Sequence, residues 1–101
     1  MDNNDLDELI DEAIIDCYGD YEEATGFAAT FDNELQFPFK AKVVGENVDV
    51  LGIEIIQEQI LVKCRKKNKI YYIDILDLEY NKTDVTGNKW IEAYRKWKGR
   101  N

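Results

Sequence analysis

The stretch Phe37-Pro38-Phe39-Lys40-Ala41-Lys42-Val43 decides the fold, because the hydrophobic period changes there from helical to extended. Pro38, the only proline, pushes Phe37 toward an extended conformation. Beyond it Phe39, Ala41 and Val43 alternate with Lys40 and Lys42, the period of two that places one set of side chains on a buried sheet face. Helices are therefore expected before this point and strands after it.

Downstream, Gly45-Glu46-Asn47 turns the chain into Val48-Asp49-Val50. Gly52 reads as a bulge or bend before Ile53-Glu54-Ile55-Ile56, and Gln57-Glu58-Gln59 as a second turn. Ile60, Val62 and Cys64 then alternate with Lys63 and Arg65, Arg65-Lys66-Lys67-Asn68-Lys69 forms a basic hairpin loop, and Ile70 to Leu76 reads as a fully buried returning strand. Four or five short antiparallel strands over 38–80 predict a small, strongly bent sheet or SH3-like barrel. A C-terminal helix over 88–98, with Trp90, Ile91, Tyr94 and Trp97 on one face, closes the core.

Upstream, Leu6, Leu9, Ile10, Ala13, Ile14, Cys17, Tyr18 and Tyr21 recur at steps of three and four, the apolar stripe of an amphipathic helix. Asn3 or Asn4 can cap it. Gly19 and Gly26 are places where it ends or bends, and Ala24, Phe27, Ala28, Phe31 and Leu35 restart the period. Asn33 suits a C-terminal turn, so Asp32 to Phe39 is expected to leave the helix. The fold class is α+β: an acidic helical front over 1–37, packed on the sheet, in a single domain of 101 residues.

A composition that is 45% apolar and 12% aromatic describes a folded chain. The formal charge of −8 disfavours nucleic acid and anionic membranes as partners and favours cations or a basic protein. The start lacks the basic-then-apolar pattern of a secretory leader, and no apolar run is long enough to span a bilayer, so the expectation is a soluble, cytoplasmic monomer. With no histidine, and with Cys17 and Cys64 far apart and outside any CxxC pair, zinc, iron–sulfur and His-dependent catalysis lose their usual ligands. Both thiols read as small packed hydrophobes.

The charge is distributed unevenly. Twelve carboxylates and no Lys or Arg lie between Asp2 and Glu34, whereas Phe39 to Asn101 holds nine acids and thirteen bases. Asp5, Glu8, Glu12, Asp16, Asp20 and Glu23 follow helical steps and would stack as one ridge, each like-charge neighbour destabilising it by about 0.2–0.5 kcal/mol. Such a ridge awaits a counterion.

Several segments carry a family resemblance: Cys17-Tyr18-Gly19-Asp20-Tyr21-Glu22-Glu23 with Gly26-Phe27, Pro38-Phe39-Lys40-Ala41, Cys64-Arg65-Lys66, Ile75-Leu76-Asp77-Leu78, and Trp90-Ile91-Glu92-Ala93-Tyr94-Arg95-Lys96-Trp97. In this order they resemble the small acidic calcium-binding family typified by the cyanobacterial protein CcbP. The resemblance implies a non-enzymatic protein that buffers or senses Ca²⁺ without an EF-hand. One departure is Glu79-Tyr80-Asn81-Lys82, where the family suggests a proline-rich stretch.

The chemistry of the acids favours the same ion. Ca²⁺ takes roughly six to eight oxygens at about 2.3–2.6 Å and tolerates irregular geometry, whereas Mg²⁺ needs a tighter octahedron. No EF-hand register fits: Gly87 at the sixth loop position puts Lys82 first and Ala93 twelfth, and Glu92 at the twelfth puts Thr86 sixth. The candidate ligands are Asp20, Glu22 and Glu23 at the helix bend, Asp32 and Glu34 in the exit loop, and Asp77 at the end of the last strand. Asp20 and Glu23 share a helix face, and a non-helical Asp32–Glu34 pair could turn toward one ion. The plain alternative for each is a solvated carboxylate, and Asp77 could instead cap a turn or pair with Arg95. Glu22 with Glu23, or Asp32 with Glu34, could serve acid–base chemistry, but no nucleophile–base set or phosphate loop accompanies them. The other reading is an acidic module that docks on a basic partner as a nucleic-acid mimic or inhibitor.

Overall fold

A computed structural model of the chain describes residues 3–99. Its elements run α1 (Asn3–Ala13), α2 (Asp20–Glu34), β1 (Phe39–Val43), β2 (Glu46–Ile56), β3 (Gln59–Lys66), β4 (Lys69–Asp74), two short 3₁₀ turns at Ile75–Asp77 and Lys82–Asp84, and α3 (Asn88–Gly99). The side chains of Asn3 and Asn4, expected as helix caps, lie outside the described residues.

The strands pair antiparallel in sequence order, β1-β2-β3-β4. Two-residue turns join them: Val44-Gly45 has φ of 49° and 78°, the left-handed pair that matches strand twist, and Gln57 and Lys67 are also left-handed at 57° and 56°. The register between β2 and β3 shifts between Val50 and Gly52, the irregularity expected at that glycine. The sheet remains open, so the α+β architecture forms without the expected barrel. Helices cover one face only, above Val48, Val50, Ile60, Val62 and Cys64, and the other face meets solvent. There Asp49 accepts from Lys40 at 2.6 Å and from Arg65 at 3.3 Å, while Lys66 pairs with Glu46 at the end of the strands. The hydrogen bonds from Lys40 and Arg65 hold the Asp49 carboxyl below the usual carboxylate range.

β4 corrects a second expectation. Read as fully buried, it leaves Ile70 and Tyr72 exposed and only half-buries Tyr71 and Ile73. Its position at the sheet edge is the reason, since a strand with one neighbour and helices on one face cannot bury both of its sides.

The helical front also differs from the sequence reading. α1 stops at Ala13, Asp16 sits at φ 60°, and Gly19 at φ 89° opens α2, so the periodic stripe does not continue through Tyr21. Tyr18 and Tyr21 are 80% and 58% exposed. The six-carboxylate ridge is broken with it, leaving Asp5, Glu8 and Glu12 on α1 and Asp20 and Glu23 on α2. Gly26 is no bend but lies inside α2, where a Cβ would stand 2.5 Å from the Ala13 carbonyl oxygen and 3.0 Å from Cys17 Sγ. The bare backbone at Gly26 is what lets the end of α1 cross so near.

The core is centred on aromatic rings of α2 and α3. Phe27 lies 5.2 Å from Tyr94 and from Trp97, and Phe31 meets Tyr94 edge-on at 5.6 Å and 82°. As expected, Trp90, Ile91, Tyr94 and Trp97 form the buried face of α3. Both cysteines are free thiols, Cys64 buried and Cys17 half-buried.

Two outcomes follow. Gly26→Ala forces a methyl against a backbone carbonyl that cannot swing aside, so denaturant unfolding should show a loss of about 1–3 kcal/mol. Burial, with the Asp74 charge adding to it, pushes the Tyr94 phenol up to about 12. A raised value in the folded state means that the neutral phenol's contribution is complete below its ordinary value of 10.0 and is lost as pH rises through about 12. Thermal melts from pH 9 upward should therefore fall less steeply for Tyr94→Phe than for the parent chain.

Candidate metal site

The junction between α1 and α2 gathers carboxylates because both helices end there and neither supplies a base. Asp20, Glu22 and Glu23 occupy the first turn of α2, whose N-cap, Gly19, offers no side chain to the free N–H groups. Glu22 instead ties down the preceding turn: its Oε2 accepts a hydrogen bond from the Tyr18 N–H at 2.7 Å. Its other oxygen has no protein donor among the described residues. Glu23 is half-buried, and Asp20 and Glu22 are exposed.

The Cys17 thiol senses this concentration of charge. Burial pushes its pKa up first, and Glu22, Glu23 and Asp16 raise it further. The three carboxylates come from a turn and a helix, and their charges act on the same thiol. Asp16 is not among the candidate ligands that the sequence offers. Its place in a helical ridge concealed it, and the left-handed turn takes it out of that ridge. The segment 14–19 is not helical, so its backbone carbonyls are also less committed than those of a helix interior.

The other sequence candidates do not join this group. α2 runs unbroken to Glu34, with the Leu35 N–H bonded to the Phe31 carbonyl at 3.0 Å, so the expected exit loop at Asp32 and Glu34 is helix. Two residues along a helix point about 200° apart, so this pair does not converge as a loop pair could. Asp32 also stands about 18 Å along the axis from Asp20, at 1.5 Å per residue, which no single ion can bridge. What keeps α2 helical there is its packing: Phe31 is fully buried, and the Glu34 carbonyl oxygen would lie 2.4 Å from a Cβ at Gly87.

Asp77 ends the first 3₁₀ turn and is exposed. The two structural roles open to it fall to its neighbours. Asp74 caps the turn by accepting from the Leu76 N–H at 2.8 Å, and Arg95 donates to the Leu76 carbonyl at 3.3 Å.

A second oxygen-bearing site was not singled out from sequence. A hollow of about 430 Å³ is lined by Asn47, Glu79, Asn81 and Asp84, with Lys40 and Lys42 also on its wall. Glu79 is pinned there, exchanging backbone hydrogen bonds with Lys42 at 2.7 and 2.9 Å while its Oε1 accepts from the Gly45 N–H at 3.2 Å. Asn81 Oδ1 is engaged by the Thr83 N–H and hydroxyl. The two lysines make this a weaker cation trap than the α1–α2 junction. The signal available from sequence was three oxygen-bearing residues, at 79, 81 and 84, between a strand and a helix.

Among the described residues no three Asp, Glu, Cys or His side chains already stand in metal-holding geometry. At the junction Asp16, Asp20 and Glu22 are exposed and Glu23 is half-buried.

Comparison with known proteins places the chain. No curated protein matches its sequence. Two solved structures share the fold: one described as the crystal structure of Anabaena CcbP, with TM-score 0.82, 22% identity, and 96% of this chain and 91% of that one covered. The other, described as a calcium binding protein in the calcium-binding form, has TM-score 0.82 and 23% identity, with 97% and 92% covered. A family model described as calcium binding matches residues 7–98, and by that match the chain belongs to the CcbP calcium-binding family.

Proposed function

We propose that this chain is a non-EF-hand, non-enzymatic calcium-binding protein that buffers or senses Ca²⁺ in the cytoplasm, working as a monomer. The observation that carries the reading is the calcium-binding family match across residues 7–98. The main ion position is the α1–α2 junction. Asp20 and Glu23 supply carboxylates from one helix face, Glu22 supplies the oxygen not used by Tyr18, Asp16 closes from the turn, and loop carbonyls and water complete a shell of roughly six to eight oxygens. Asp32, Glu34 and Asp77 serve separate positions, because α2 holds the first two away from the junction.

The energetic logic is local. Carboxylates at a helix N-terminus are favoured by the dipole, yet Asp20, Glu22 and Glu23 repel one another. A divalent ion removes that repulsion and favours the folded state by mass action. Binding alone suits a buffer; a sensor additionally needs the loop 14–19 to change shape, and its few hydrogen bonds leave room for that.

An acidic docking module for a basic partner is the second reading, favoured by one observation. Ile15, Tyr18 and Tyr21 are 71%, 80% and 58% exposed in the same segment as these carboxylates. Salt separates the two readings, since docking weakens with any salt through screening whereas an ion site responds to Ca²⁺ itself.

Calorimetric titration of chelator-treated protein should show heat with Ca²⁺ and much less with Mg²⁺. Melting temperature should rise with Ca²⁺, the gain reaching about 2.7 kcal/mol at one hundred times the dissociation constant. A native sample with neither response overturns the function. Asp20→Asn combined with Glu23→Gln should weaken the junction tenfold or more, a loss of about 1.4 kcal/mol. Asp32→Ala with Glu34→Ala should leave that step intact. Glu22→Gln preserves the acceptor for the Tyr18 N–H, so urea unfolding without Ca²⁺ should match the parent within about 0.5 kcal/mol while Ca²⁺ affinity falls.

A further inference from the structure

The two edges of the sheet are finished differently. β1 is partly sealed, because Lys42 exchanges both backbone hydrogen bonds with Glu79. β4 pairs with β3 on one side, and on its other side no bridge continues the ladder among the described residues. Natural edges are often protected by lysine along their length. Here the lysines sit at one end, at the hairpin tip, while Ile70 to Ile73 carries no charge and leaves Ile70 and Tyr72 46% and 43% exposed. At the tip a hollow of about 500 Å³ is lined by Lys66, Lys67, Asn68, Lys69 and Tyr71. Lys66 is engaged by Glu46, whereas Lys67 and Lys69 make no ion pair among the described residues.

We infer that the free edge of β4 takes an extended acidic segment of another protein as a fifth strand, with one of its carboxylates in the lysine-lined hollow. An open strand presents alternating N–H donors and C=O acceptors, which an extended polypeptide complements residue for residue. A phosphodiester chain has no backbone donors for those carbonyls. It also brings one charge per nucleotide against a protein of net charge −8, whereas a short segment brings only a few. Ile70 and Tyr72 give the incoming strand apolar neighbours on one face, so the matching segment alternates acidic with β-branched residues.

The test uses the full chain, isotopically labelled, and a capped peptide alternating glutamate and valine. Addition of the peptide should slow hydrogen exchange of β4 amides at least tenfold and leave β1 amides unchanged. Lys67→Glu with Lys69→Glu, both exposed at the tip, should weaken binding tenfold or more. Unchanged β4 exchange at millimolar peptide overturns the proposal. So does equal binding of a lysine–valine peptide, or a response to oligothymidylate in place of the acidic peptide. These readouts on the parent chain decide the matter even if the double variant fails to fold.

Discussion

The junction of α2 with α3 is the constraint on which the rest of the structure depends. Phe27 and Phe31 on α2 meet Tyr94 and Trp97 on α3, and the four rings close over the sheet residues Val50, Ile60 and Val62. Each aromatic pair contributes about 0.5–1.5 kcal/mol beyond the area it buries. With α2 held by this face, its opposite face has no choice but to project carboxylates into water. The apolar lock and the acidic surface are two sides of one helix.

That lock also determines where α1 can end. Gly26 is pressed against the Ala13 carbonyl, so α1 must turn away after Ala13, and the left-handed Asp16 and Gly19 carry the chain round to α2. Burial, and after it the charges of Glu22, Glu23 and Asp16, push the Cys17 thiol's pKa up. A packing requirement in the interior thus produces a concentration of negative charge at the surface. The same chain resolves its charges differently on the sheet, where Asp49 sits between Lys40 and Arg65 and Glu46 meets Lys66. Cross-strand neighbours of opposite sign pair charges within the sheet, and Lys96 of α3 reaches Asp7 of α1 at 2.9 Å.

Much of this was legible in residue patterns. The alternation of Phe39, Ala41 and Val43 marked the first strand, the irregularity at Gly52 was visible as a glycine in a strand, and Trp90, Ile91, Tyr94 and Trp97 identified the buried face of α3. The acids of the junction were legible as a group, but their membership was not. Helical spacing assigned Asp16 to a ridge and took Asp32 with Glu34 for a loop pair. Periodicity says which residues would share a face if the helix continued, and nothing about whether it does.

By itself the sequence determined the helix-to-strand order, the composition of the core, the lack of histidine and the segregation of twelve acids from the bases, because these reside in residue identity and short-range spacing. Only the tertiary structure decided that α1 stops at Ala13, that α2 passes through Gly26 to Glu34, that the sheet stays open and that β4 is an edge. Each of those depends on what lies across from the residue in space: the Ala13 carbonyl against Gly26, Gly87 against the end of α2, the missing neighbour beside β4. A local pattern carries no record of such long-range contacts.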